Sequence, residues 1–171
     1  MASASPFFDK YRAAFPARPP DLTKQQFADE VTDLSENSDI VSLEAAPATG
    51  MALGNPRSGS LTDSAKYLWL VTRGEVPAAL EYGPSGSRTT RRRLAHTNLC
   101  GGENAHAGGE MWFRGHSSIW MTGGSGRYPP ATEGELEAIV SAFATAGYAV
   151  RSAGWDSETN MPARMFRGDK S

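Results

Sequence analysis

KYLWLVTRGEVPAALEY, Lys66–Tyr82, holds two apolar runs, Tyr67 to Thr72 and Ala78 to Tyr82, on either side of Arg73-Gly74. Each run has the length of a strand, and a glycine-containing break between them reads as the turn of a hairpin. Downstream, Leu94 to Leu99, Glu110 to Phe113 and Ser118 to Thr122 are further strand candidates, parted by Gly101-Gly102, Gly108-Gly109 and Gly115. Short strands at this spacing suit an antiparallel sheet. Thr132 with Glu135 three residues on then forms a capping box. Leu136, Ile139, Val140 and Phe143 follow at helical spacing, and Gly147 stands where a C′ glycine belongs. The pattern predicts an amphipathic helix on the sheet, with Tyr148 to Ser152 returning as a strand.

Upstream of the hairpin the signals are weaker. Phe7, Phe8, Tyr11 and Phe15 can share one face of a short helix that Pro16 ends. Thr23 with Gln26 reads as a second capping box, with Phe27, Val31 and Leu34 at helical spacing, which predicts a helix over Lys24 to Leu34. Ile40 to Leu43 is a short strand candidate, and Ala45 to Ser64 is a Gly/Pro/Ser-rich stretch without periodicity. No repeat and no alternating βα pattern is present, which disfavours a doubly wound parallel sheet. The expected class is α+β: a twisted antiparallel sheet of five or six strands, packed by a C-terminal and an N-terminal helix. The chain divides into 1–64, an arm, helix and loop, and 65–171, the sheet with its helix and the site, within one domain.

Composition narrows the function. The 171 residues are 39 % hydrophobic, enough for one core, and no apolar run approaches the roughly 20 residues of a membrane span. No membrane association is expected. Met1 to Lys10 lacks the basic start and apolar centre of a secretory signal, so the expected location is the cytoplasm, or outside by a route needing no such signal. The single cysteine, Cys100, excludes an internal disulfide and any multi-cysteine metal site. Net charge is −2, yet residues 61 to 127 carry eight basic against five acidic side chains, so an anionic ligand is drawn to the middle third. Arg88, Arg91, Arg92 and Arg93 are the densest part of that charge.

The candidate chemistry lies in HTNLCGGENAHAGGEMWF, His96–Phe113, and SSIWMTGGSGRYPP, Ser117–Pro130. These stretches resemble a domain of plant IQ-motif calmodulin-binding proteins and of bacterial toxin-like or effector-like proteins. That pattern runs His-Ser-Ser, a Gly-rich turn, Ala-Gly-Glu opening a strand, then Ser-Gly-His-Tyr-x-Pro before a helix. The matching positions are His96 and Thr97; Gly108, Gly109 and Glu110; and Ser125, Gly126, Arg127, Tyr128 and Pro130, with Arg127 in place of histidine. The match covers about residues 94–150, without the IQ helix, so calmodulin binding does not transfer. What the resemblance implies is a fold and a site.

The residues themselves suggest metal-independent chemistry on a phosphate. Glu110 is placed as base, His96 as acid, Arg127 as phosphate clamp, and Tyr128 with Asn98 as orienting hydrogen bonders. Thr97, Ser125, Gly126 and Arg93 complete the expected substrate contacts, and strand alternation would turn His96 and Asn98 to one face. RNA cleavage by transesterification leads. NAD-dependent ADP-ribosyl transfer uses a similar inventory, with NAD as substrate rather than bound cofactor. A non-catalytic interaction module, its glycines serving the fold alone, is the third reading. A toxin or effector enzyme would also have a cognate inhibitor protein. The series His96, Cys100, His106, Glu110 has metal-ligand chemistry, but the partial cupin spacing lacks its other histidines, so no metal is expected. His116 reads as a solvated hairpin tip.

Overall fold

The computed structural model describes residues 6–44, 51–54, 56, 64–115 and 117–166. His116 and most of the stretch from 45 to 63 lie outside them. Helix α1 spans Pro6–Ala14, and α2 spans Glu133–Thr145. The strands are β1 Val41–Ser42, β2 Tyr67–Val71, β3 Pro77–Leu80, β4 Ala107–Phe113, β5 Ser118–Thr122 and β6 Ala149–Ser152. A separate ribbon pairs β7, Trp155–Asp156, with β8, Met161–Pro162. The protein is α+β, with a six-stranded sheet in the order β1-β3-β2-β4-β5-β6.

That sheet is mixed rather than wholly antiparallel. β2 pairs with β3 and β4, and β4 with β5, all antiparallel, but β5 and β6 run parallel. The connection explains it: α2 carries the chain back to the starting end of β5, so the next strand must point the same way. A single crossover is enough to do this without any alternating βα pattern.

β2 is buried along its whole length because both faces of the sheet are covered. Tyr67, Trp69 and Val71 join Phe8, Tyr11, Ile139 and Phe143 in the core beneath the two helices. Leu68 and Leu70 join Leu94, Leu99 and Tyr128 in a second core on the opposite face. Phe8 meets Phe143 edge to face with centroids 5.0 Å apart, so α1 is part of the core. Thr132 caps α2 by accepting from the Glu135 amide, and Gly147, at φ +110°, ends it in a conformation that a side chain resists. No helix among the described residues is long and apolar enough to cross a membrane.

Two predicted elements do not form. Of Lys24 to Leu34 only Ala28–Val31 is helical, as one 3₁₀ turn. The carbonyls of Asp21, Lys24 and Gln25 accept from the Arg127 guanidinium, and Thr23 donates its amide to Asp21 Oδ1 instead of starting a helix. Leu94 to Leu99 is likewise no strand, because His96–Leu99 is a 3₁₀ turn. Asn98 organises it: Oδ1 accepts from the Ala95 amide, and Nδ2 donates to the carbonyls of Asp29 and Thr32. Asparagine competes with ladder hydrogen bonds in this way. The shared face expected for His96 and Asn98 is therefore absent.

Candidate functional site

The hairpin register places a charged row across the sheet on the face away from the helices. Lys66 enters β2, Glu81 leaves β3, Glu110 sits in β4 and Thr122 ends β5. Lys66 Nζ lies 2.9 Å from Glu81 Oε1 and 3.1 Å from Glu110 Oε2, and the Thr122 hydroxyl donates to Glu110 Oε1 at 3.3 Å. Burial works against the Lys66 charge, but the two carboxylates outweigh it and hold the ammonium above its usual range. Lys66 is therefore a fixed cation at neutral pH.

His96 stands over this row. The Gly109 carbonyl can only accept, so the 2.9 Å contact from Nε2 places the ring proton there and leaves the Nδ1 lone pair available. Nδ1 has no hydrogen-bond partner among the described residues. The ring fits because position 108 is glycine: a methyl there would come within 2.7 Å of His96 Cδ2. Burial pushes the His96 pKa below the ordinary histidine value, only partly offset by the Gly109 carbonyl and the nearby Glu110 charge. A lowered pKa favours the neutral imidazole at pH 7, the form a base needs, and disfavours the protonated form that the expected acid role requires.

Burial also lowers the pKa of His106, whose Nδ1 donates to the Phe15 carbonyl at 2.7 Å. For both histidines the unfolded chain takes up protons below about pH 6.5 while the native fold resists them. Neither contributes above that value, and native stability falls as pH drops beneath it. The urea midpoint should therefore be lower at pH 5.5 than at pH 7.5, a window above the carboxylate range. Equal midpoints would mean that both rings are charged in the fold.

Around His96 opens a cleft of about 560 Å³. Its lining carries six Lys or Arg side chains and three glutamates, a positive balance. Glu30, Glu81 and Glu110 are each bound to a cation, whereas Lys24, Arg93 and Arg164 have no ion pair among the described residues. Arg164 reaches in beside Gly124, where a methyl would lie 3.4 Å from its Nη1 and 3.0 Å from Glu110 Oε1. An anion entering here meets guanidinium groups without displacing a carboxylate.

The predicted site residues separate on folding. His96, Glu110, Arg127, Gly126 and Arg93 all line the cleft. Arg127 is nevertheless a tie within the fold: Nε donates to Glu30 Oε2 at 3.1 Å, and the remaining nitrogens hold three backbone carbonyls. Those donors are already used, whereas Arg93 and Arg164 carry no ion pair among the described residues. Tyr128 faces the second core, with its hydroxyl donating to the Glu103 carbonyl at 2.7 Å and lying 3.2 Å from Cys100 Sγ. Asn98 is 1 % exposed and committed to the backbone, and Thr97 is fully buried. Ser125 Oγ accepts from the Arg127 and Tyr128 amides and so shapes the turn. These four orient the fold around the cleft and do not face into it.

Among the described residues no group of three or more His, Cys, Asp or Glu side chains is placed to hold a metal ion. Cys100 lies by Tyr128, and His106 by Phe15 and Tyr11, so the series from His96 to Glu110 is dispersed. Lys66, Glu81, Tyr82 and Arg164 line the cleft without belonging to any motif. Lys66 and Glu81 could have been paired from the hairpin register, since they stand equally far from the Arg73-Gly74 turn; Arg164 has no sequence signal. Comparison with protein-family models, with curated proteins and with solved structures finds no match, so the functional reading rests on the residues of this chain.

Proposed function

We propose that the protein cleaves single-stranded RNA by transesterification, with His96 as the base. The observation that carries this reading is His96 with an open Nδ1 in a cleft where three of the six lining cations, Lys24, Arg93 and Arg164, have no ion pair among the described residues. Nδ1 takes the proton of a ribose 2′-hydroxyl, and the freed oxygen attacks phosphorus. The bond to the 5′ oxygen breaks, and that oxygen takes a proton from water. The hydroxide so formed recovers the proton from His96. Arg93 and Arg164 hold the phosphoryl oxygens as charge develops. Glu110, within the Lys66 row, stabilises the imidazolium formed in the step.

The test uses the full chain with labelled single-stranded RNA in the presence of EDTA. Products ending in a 2′,3′-cyclic phosphate are expected, and the same RNA should raise the melting temperature. Uncut RNA with stabilisation by NAD alone would overturn the reading in favour of ADP-ribosyl transfer. A response to neither leaves the cleft to a non-catalytic interaction module.

A further inference from the structure

We propose that the substrate strand continues out of the cleft over Trp120, where the Arg114 and Arg151 guanidinium groups grip its phosphates. This deepens the reading of the cleft as an RNA site and rests on it. The sheet register joins the two regions. Tyr67 pairs with Leu80 and with Met111, so Lys66, one residue earlier, faces Glu81 on one side and Trp112 on the other. Trp112 pairs with Trp120, and Trp120 with Arg151. This rung lies on the face away from the helices, beside the charged row of the cleft. Neighbouring strands stand about 4.8 Å apart, so Arg151 is three spacings, about 14 Å, from Lys66.

Trp120 is half-buried, and the exposed Arg114 and Arg151 lie against it. The central guanidinium carbon of Arg151 is 4.3 Å from the ring centroid, and that of Arg114 is 4.8 Å away. Arg114 has no ion pair among the described residues. A guanidinium resting on an indole is held by the ring's quadrupole and has given up rotamer freedom before a ligand arrives. Its planar fork matches two phosphate oxygens, and its open face is a surface on which an unstacked base of single-stranded RNA lies.

The C-terminal segment ties this platform to the cleft. Phe166 packs on Trp120 with centroids 5.0 Å apart and on Trp112 at 6.2 Å, while Arg164, two residues earlier, enters the cleft beside Gly124. A strand with one phosphate at Arg164 therefore meets Trp120 as it leaves. Cations that track the backbone, set among aromatic rings, are how proteins hold single strands without reading their sequence.

The test is the salt dependence of binding, read by fluorescence anisotropy of the full chain with a labelled single-stranded 2′-O-methyl RNA octamer. That probe lacks the attacking hydroxyl and so stays uncut. Arg114→Ala and Arg151→Ala should each reduce the slope of log K against log salt by about 0.7, which is a loss of about fivefold at 0.1 M salt. Trp120→Leu removes the ring and keeps the charges, so affinity should fall with the slope retained. Arg73→Ala, at the exposed β2–β3 turn, should leave the slope unchanged. Both arginines are exposed, and an unaltered melting temperature separates lost contact from lost folding. Unchanged slopes in both arginine variants, or an equal loss in Arg73→Ala, overturn the proposal, as does failure of the octamer to bind. If ordinary RNA is still cut in those cases, the cleavage reading stands without this path. The expected slopes with ordinary RNA left uncut uphold the path and overturn the reaction.

Discussion

Arg127→Ala lowers the melting temperature by roughly 10 °C, a change that exceeds what a surface arginine costs. The side chain is 10 % exposed and Glu30 is 4 % exposed, so the pair is withdrawn from water. Removing one member strands the other as a buried charge, for about 3–5 kcal/mol. Arg91, 3.0 Å from Glu30, keeps part of the compensation and sets the loss towards the lower end. The same substitution frees the carbonyls of Asp21, Lys24 and Gln25, which fasten the N-terminal segment along the cleft. Arg127→Lys should recover only a fraction, since an ammonium cannot span a carboxylate and three carbonyls as a planar fork does. Melting followed by circular dichroism checks this. An unchanged melting temperature with lost RNA binding would return Arg127 to the role of phosphate clamp.

Arg127 also shows where the sequence stops being informative. α2 could be read because its start signal, apolar stripe and terminal glycine are local and agree with one another. The sheet could be read for the same reason at β2 and β5 and over the second half of β4, whereas Gly108-Gly109, expected as a break, lie inside β4 opposite Leu70 and Trp69. The segment from 24 to 34 has an equally good local pattern, yet a guanidinium about 100 positions away takes its carbonyls, and a tertiary partner of that kind leaves no periodic trace. At Asn98 the misreading has a different physical source: alternation treats every residue as a ladder member, while this side chain binds its own backbone neighbourhood. The site divides along the same line. His96 and Glu110 lie beside glycines that mark close approach, and a methyl at Gly108 or Gly124 would indeed press on them. Lys66 and Arg164 arrive through register and a C-terminal loop, which only the folded chain brings together.

His96→Ala should reduce RNA cleavage by about 10²–10⁴-fold, the usual contribution of a positioned base. The loss belongs in kcat, because Arg93 and Arg164 still hold the phosphate in the variant; Arg93→Ala should instead act more on KM. The pH profile gives the sharper check. Burial lowers the His96 pKa, so kcat/KM should stay level from pH 8 to pH 7 and fall only at a pH below the ordinary histidine value of about 6.5. Were His96 the acid, activity would decline as pH rose through the same point, the opposite sign. Because Nε2 is tied to the Gly109 carbonyl, His96→Gln can retain a side-chain hydrogen bond near that position while lacking a base at neutral pH. A folded His96→Gln protein as slow as His96→Ala places the effect in proton transfer; a Gln variant that cleaves at the wild-type rate removes His96 from the chemistry and the transesterification reading with it.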